Sequence, residues 1–170
     1  MASLIDNLVE VLQSEQQQYE QLVELAQQKK HYVITANIKG IESTTEQEQI
    51  VAGELRNLDI RRDLVLKDIS DVLGKDTDQL NVTKVIDLLQ QQPLEQSKLK
   101  QVRETLLAVA TQMRLLNEQN DNLIQQAKEM VEFDLTLFKS MRQAPETANY
   151  NKRAYNTGSL LGGRGFDTKQ

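Results

Sequence analysis

His31 is the only histidine and the chain has no cysteine, so the side chains able to hold a transition metal or act as a nucleophile are almost missing. A metal site would have to be built from carboxylates alone, and the Glu-x-x-His pairs of di-iron helical bundles do not occur. His31 stands beside Tyr32 in a helical pattern and reads as a surface or half-buried residue. Carboxylates are numerous, but they fall on faces expected to be solvated, with nothing to drive their pKa values apart. The run from Gly158 through Leu160, Leu161, Gly162, Gly163 and Arg164 to Gly165 lacks the strand, lysine and following helix of a phosphate-binding loop. The expectation is a protein that is not an enzyme and takes neither cofactor nor metal.

The feature that organises the chain is a coiled-coil repeat. Its seam is Leu99, Val102, Leu106, Val109, Met113, Leu116, Asn120, Leu123, Ala127, Met130, Asp134, Leu137 and Met141. Alternating steps of three and four residues place one stripe along one helix face, which other long helices must cover. Asn120 and Asp134 interrupt the stripe with polar groups. Asn120 is expected to set register, and Asp134 to mark where the seam becomes exposed.

Low aromatic content, no tryptophan, and few Gly or Pro before residue 140 favour long helices over sheet. A first helix is expected from Ser3 as N-cap, with the stripe Ile5, Leu8, Leu12, Tyr19, Leu22, Ala26 and Val33. Glu15 and Lys29 fill the heptad places between, stems buried and heads in water. Asn37 caps a second helix carrying Ile38, Ile41, Leu55, Leu58, Val65, Ile69 and Val72. Gly40 argues against its continuity, and the polar stretch Thr44 to Gln49 suggests loose packing. Gly74 ends that helix, Lys75 to Asp78 form a loop, and Asn81 caps a short helix of Val82, Val85, Ile86, Leu88 and Leu89. Pro93 opens the third long helix, which runs to about Arg142. The fold class is therefore all-α: an elongated antiparallel bundle of three long helices and one short one. Residues 1–142 form the helical domain, and residues 143–170 a flexible C-terminal tail.

At 1.5 Å per residue the first two helices span about 50 Å each and the third about 73 Å. If the third runs back along the second, its partners end near Ala127 to Met130. The turns beyond hold Val131, Phe133, Leu135, Leu137, Phe138 and Met141, including two of the three phenylalanines. An uncovered apolar helix end suits protein binding; the alternatives are pairing with a second copy, as a weak homodimer, and covering by helix 1 or the tail. In the tail, Tyr150, Tyr155, Leu160, Leu161 and Phe166 recur as spaced apolar anchors, the mark of a partner-binding segment.

The formal charge of −5 divides unevenly, with about +3 from Met141 onward and about −8 before it. An acidic body argues against nucleic acid as the ligand. No apolar run approaches the roughly 20 residues of a membrane span, and the first residues lack the basic and apolar regions of a signal peptide. Absence of cysteine fits a cytosolic protein.

The first two helices resemble the FlgN family of flagellar export chaperones in Leu8, Leu12, Glu15, Tyr19, Leu22, Leu25, Ala26 and Lys29. Asn37-Ile38, Glu46, Glu48, Leu58 and Arg61 or Arg62 extend the likeness. Asn117, Asn120, Asn122, Leu123 and Ile124 are similar to an Asn-rich stretch of that family. Tyr150-Asn151, Gly158 and Phe166-Asp167 are like the ending of its Gram-positive members. The resemblance implies a cytoplasmic bacterial chaperone. Its clients would be flagellar hook-associated proteins, bound through their C-terminal segments, kept from premature assembly and delivered to the flagellar type III export gate. The alternative is a structural coiled-coil adaptor that self-associates through the third long helix.

Overall fold

The computed structural model describes residues 1–76 and 80–147, with side chains through 142. Four α-helices follow one another: α1 (Ala2–Ile34), α2 (Ile38–Leu73), α3 (Val82–Leu88) and α4 (Pro93–Thr147). A single 3-10 turn, Leu89–Gln91, joins α3 to α4. No strand occurs among the described residues. The protein is all-α, with long helices packed on one another, as the repeat requires.

The helix boundaries follow local chemistry. Asn37 Oδ1 accepts from the Gly40 N–H at 3.0 Å, and Asn81 Oδ1 from the Lys84 N–H at 2.9 Å, which satisfies amide donors left free at a helix start. Gly74 closes α2 in the left-handed conformation (φ 61°, ψ 33°), where a Cβ would be strained. Pro93 is the first residue of α4. At the end of α1, Asn37 N donates to Tyr32 O and Ala36 N to Val33 O, the two bonds of a Schellman turn. Ala36 occupies its left-handed position with φ 53°. The start of α1 differs from expectation: the helix begins at Ala2, and Met1 occupies the cap with no side-chain bond, so Ser3 lies inside the helix.

The chain divides into two compact units, Met1–Leu123 and Ile124 onward. In the first, α1 and α2 form an antiparallel hairpin. Arg62 reaches Glu15 in the middle of the hairpin and Lys29 reaches Glu48 nearer its turn. The core joins all four helices. Ile5, Leu8 and Leu12 of α1 meet Val65, Leu66 and Ile69 of α2, Val85 of α3, Leu89, and Leu99 of α4. Burying such a side chain contributes about 1.5–3 kcal/mol, so this cluster anchors the start of α4. From there α4 runs in the direction of α1, since Leu99 joins Ile5 and Leu8 while Asn120 reaches Ala26. Asn120 is 2% exposed, and its Nδ2 donates to Ala26 O at 2.8 Å. The polar seam residue thus ties α4 to α1 at one axial position, through a specific buried partner.

Several expectations are corrected. The heads of Glu15 and Lys29 do not lie in water. Glu15 is 1% exposed and its carboxylate accepts from Arg62, while Lys29 donates to Glu48. An antiparallel neighbour supplied the counter-charge for each, a pairing that heptad position alone does not reveal. Thr44 to Gln49 is not loosely packed. Thr44 is buried, with its hydroxyl bonded back to the Gly40 and Ile41 carbonyls, and Glu48 is tied to Lys29. Helix α2 continues through Gly40, and a Cβ there would fall 2.5 Å from the Tyr32 ring. Glycine at this place lets the aromatic ring lie against the helix backbone. Ile38, Val72 and Leu88 are exposed and stand outside the core. Helix α4 ends at Thr147, beyond the expected Arg142.

Candidate functional site

Burial along the α4 seam changes character once. Leu99, Val109 and Asn120 are buried; Val102, Leu106, Met113, Leu116, Leu123 and Ala127 are half-buried. From Met130 onward every seam residue is exposed, so the opening falls where the helix lengths placed it, one layer before Asp134, the residue expected to mark it.

The second unit, as far as it is described, is the last part of α4. Its composition sustains a helix: Lys128, Glu129, Met130, Glu132, Leu135 and Leu137 are good helix formers. The hydroxyls of Thr136 and Ser140 fold back onto the carbonyls of Glu132 and Thr136, at 2.9 and 3.1 Å. The residues singled out in the sequence all lie here and are all exposed. Phe133 is 67% accessible, Met141 63%, Phe138 60%, Val131 57% and Leu137 49%. At about 100° per residue, Phe133, Leu137, Met141 and Phe138 share one face, and Val131 lies at its edge. Leu135 of the same turns and the seam residue Met130 are exposed as well. Leu135 lies off the seam, on another side of the helix. The Arg142 guanidinium stands 6.0 Å from the Phe138 ring centroid, a cation–π distance. Tyr150, Tyr155, Leu160, Leu161 and Phe166 lie outside the described residues.

Unpaired large apolar side chains usually scatter singly over a protein surface. Here seven occur within twelve residues of one helix, Met130 to Met141. Such a density of exposed apolar side chains is unusual for a free surface. Its geometry suits an apolar helix or an extended apolar segment.

The polar groups elsewhere are structural. Arg62 Nη1 donates to both Glu15 carboxylate oxygens, at 2.9 and 3.0 Å, and Arg62 Nη2 lies 3.1 Å from Asp59. Burial raises the Glu15 pKa above its ordinary value, against the opposing pull of Arg62. The same surroundings raise Tyr19, chiefly by burial and then through the charges of Asp59 and Glu15. The carboxylates are therefore not uniformly solvated, a correction to the sequence reading. This cluster fastens α1 to α2. His31 is exposed in the last turn of α1. Among the described residues no group of His, Cys, Asp and Glu side chains is placed to hold a metal ion. None of the described helices is long and apolar enough to cross a membrane. A groove of about 520 Å³ between α1 and α4 has a mixed lining, with Gln13, Gln16 and Gln101 beside Asp6, Lys98, Val9 and Val102.

No curated protein and no solved structure matches the chain. The family model described as FlgN protein matches residues 1–158. The match takes in the hairpin, the whole of α4 with its exposed face, and Tyr150 and Tyr155. It ends before Leu160, Leu161 and Phe166. With nearly the entire chain matched, and a helical body that ends in an exposed apolar face, the protein belongs to the FlgN family of flagellar export chaperones.

Proposed function

We propose that this chain binds flagellar hook-associated proteins, holds their C-terminal segments on the exposed face of α4, and hands them to the type III export gate in the bacterial cytoplasm. The observation that carries the reading is the run of exposed apolar side chains from Met130 to Met141. Val131, Phe133, Leu137, Phe138 and Met141 form the client surface. Client segments that are themselves amphipathic helices would lay their apolar sides on this face. While bound, those sides are withheld from other subunits, which is how premature assembly is prevented. Residues 1–142 act as the chaperone body, and residues 143–170 as a partner-binding tail with anchors Tyr150, Tyr155, Leu160, Leu161 and Phe166.

The double variant Phe133→Ala, Phe138→Ala tests the reading. Loss of aromatic anchors at a hot spot costs about 2 kcal/mol or more, roughly 30-fold in dissociation constant. Calorimetry with a hook-associated protein's C-terminal segment measures the binding, and circular dichroism checks helicity. Retained helicity with unchanged affinity would refute the site. The same exposed face also favours a second reading, a coiled-coil adaptor that pairs with its own copy. Light scattering after size exclusion separates the two: a stable dimer that takes up no client supports the adaptor.

A further inference from the structure

Helix α2 carries a second periodic face. Val51, Val65 and Ile69 are buried on one side, where Arg62 reaches Glu15 of α1. On the opposite side, at about 100° per residue, lie Ile50, Gly53, Asn57, Ile60 and Leu64. Their steps of three and four are those of a coiled-coil seam. Ile50 is 65% accessible, Ile60 61% and Leu64 57%, and Asn57 is exposed with them. Gly53 differs from Gly40, because a Cβ there would meet nothing within 4 Å. Glycine weakens a helix interior, and no described neighbour needs the space.

The edges of this stripe carry both charges. Arg56 and Asp63 flank it on one edge, Glu54 and Arg61 on the other, and all four are exposed. Arg61 lies 3.9 Å from Glu10, with both side chains more than half exposed, a contact readily exchanged. In an antiparallel helix pair, each edge meets the same edge of its partner. With Asn57 level with the partner's Ile60, Arg56 comes to the partner's Asp63 and Arg61 to the partner's Glu54. Two-fold symmetry repeats each meeting, so four ion pairs form. Leu64 stands over the partner's Gly53, where the missing side chain leaves room. The two Asn57 side chains lie about 4.5 Å apart along the axis, where their amides can bond to each other. A parallel copy would instead set Arg56 beside Arg61 and Asp63 beside Asp68. Edge charges of this kind decide orientation.

We propose that the outer face of α2 pairs with the same face of a second copy, antiparallel, with its two-fold axis between Asn57 and Ile60. The seam ends where its next places become Glu46 and Asp71, which would meet as like charges. The contact is then about 27 Å long, from Ile50 to Lys67, and belongs to the weak, concentration-dependent class. It uses no residue of α4, so it is independent of the client surface and of the self-pairing through α4 considered above.

Sedimentation equilibrium of the full chain is expected to show the mass rising from monomer toward dimer with concentration. A monomer at every concentration up to the millimolar range overturns the proposal. Two charge variants test the pairing, with circular dichroism checking that each stays helical. Arg56→Glu with Arg61→Glu leaves only acids at the four edge places, and Glu54→Arg with Asp63→Arg leaves only bases. Each variant alone is expected to lose the dimer, and an equal mixture to regain it. Self-association of either variant at the native strength, or a mixture that stays monomeric, overturns the proposal. Orientation is read from a Ser43→Cys variant, which carries a single nitroxide because the chain has no cysteine. Antiparallel copies level Ser43 with the partner's Gly74, so the two spins stand about 46 Å apart along the axis. Spins side by side mean a parallel pair and overturn it equally. The Phe133→Ala, Phe138→Ala variant should keep the dimer; its loss there places the contact on α4 and overturns the assignment to α2.

Discussion

Arg62→Met should be far more damaging than Glu15→Leu, although both remove the same ion pair. Glu15 is 1% exposed, and both its carboxylate oxygens are held by Arg62 Nη1 at 2.9 and 3.0 Å. The Arg62 side chain remains 30% exposed and has Asp59 at 3.1 Å as a second partner. Arg62→Met therefore leaves a buried carboxylate alone. Stranding one member of a buried pair costs about 3–5 kcal/mol, and the exposure of this pair's cation places the expectation near the lower end, about 3 kcal/mol. Glu15→Leu leaves Arg62 with Asp59 and water, and should cost about 1 kcal/mol or less. The double variant removes both charges and should lie close to Glu15→Leu. The coupling is then about 3 kcal/mol.

Proton linkage gives this prediction a second arm. The folded-state pKa of Glu15 is raised by burial. As pH falls through that raised value toward 4.5, the folded protein takes up a proton that the unfolded chain does not, and stability is gained. The gain is complete below the unfolded value and lost as pH rises through the folded one. Without Arg62 the effect grows, so the Arg62→Met deficit should shrink between pH 7 and pH 4.5. Urea unfolding followed by circular dichroism measures each variant, and a 3 kcal/mol loss corresponds to roughly 6–12 °C in melting temperature. Equal losses from the two single variants with additive combination, or a deficit independent of pH, would refute the reasoning.

Three further outcomes are expected. Asn120→Leu should change stability by no more than about 1 kcal/mol, because Ala26 O lies inside α1 and keeps its helical donor; Asn120→Asp, which sets a buried carboxylate against that carbonyl, should cost about 3 kcal/mol or more in the same unfolding assay. Ala36→Gly should stabilise by about 1 kcal/mol, since the left-handed turn position penalises a Cβ, and Gly74→Ala should destabilise by a similar amount; thermal melts that reverse either sign would contradict the turn geometry. Gly40→Ala should destabilise by about 1–3 kcal/mol despite alanine's better helix propensity, because the Tyr32 ring fills the space. A more stable protein would mean that the ring moves aside freely.

Much of this protein was legible in its sequence because helices are punctuated and patterned locally. Asn37, Gly74, Asn81 and Pro93 act within a turn of their own positions, and each marks the boundary it was read to mark. The repeat from Leu99 needs only helix geometry to place one face inward. It also located the loss of cover near Met130, since helix length follows from residue number. The likeness of Leu8, Glu15, Tyr19, Lys29 and Asn120 to one family was readable in the same way, and the family match over residues 1–158 agrees with it. What tertiary structure alone decided are the meetings of residues distant in sequence. Glu15 is a buried ion because Arg62, 47 residues away, arrives across the hairpin, and heptad position could not distinguish that from a snorkelling side chain. Thr44 is core and Val72 is surface, against their polarity, because the α1 neighbour covers one and not the other. Gly40 is tolerated inside a 36-residue helix because an aromatic ring from α1 needs the room. Periodicity states which face a helix should bury; only the arrival of neighbours settles how far along the helix that burial extends, and here it leaves Met130 to Met141 bare.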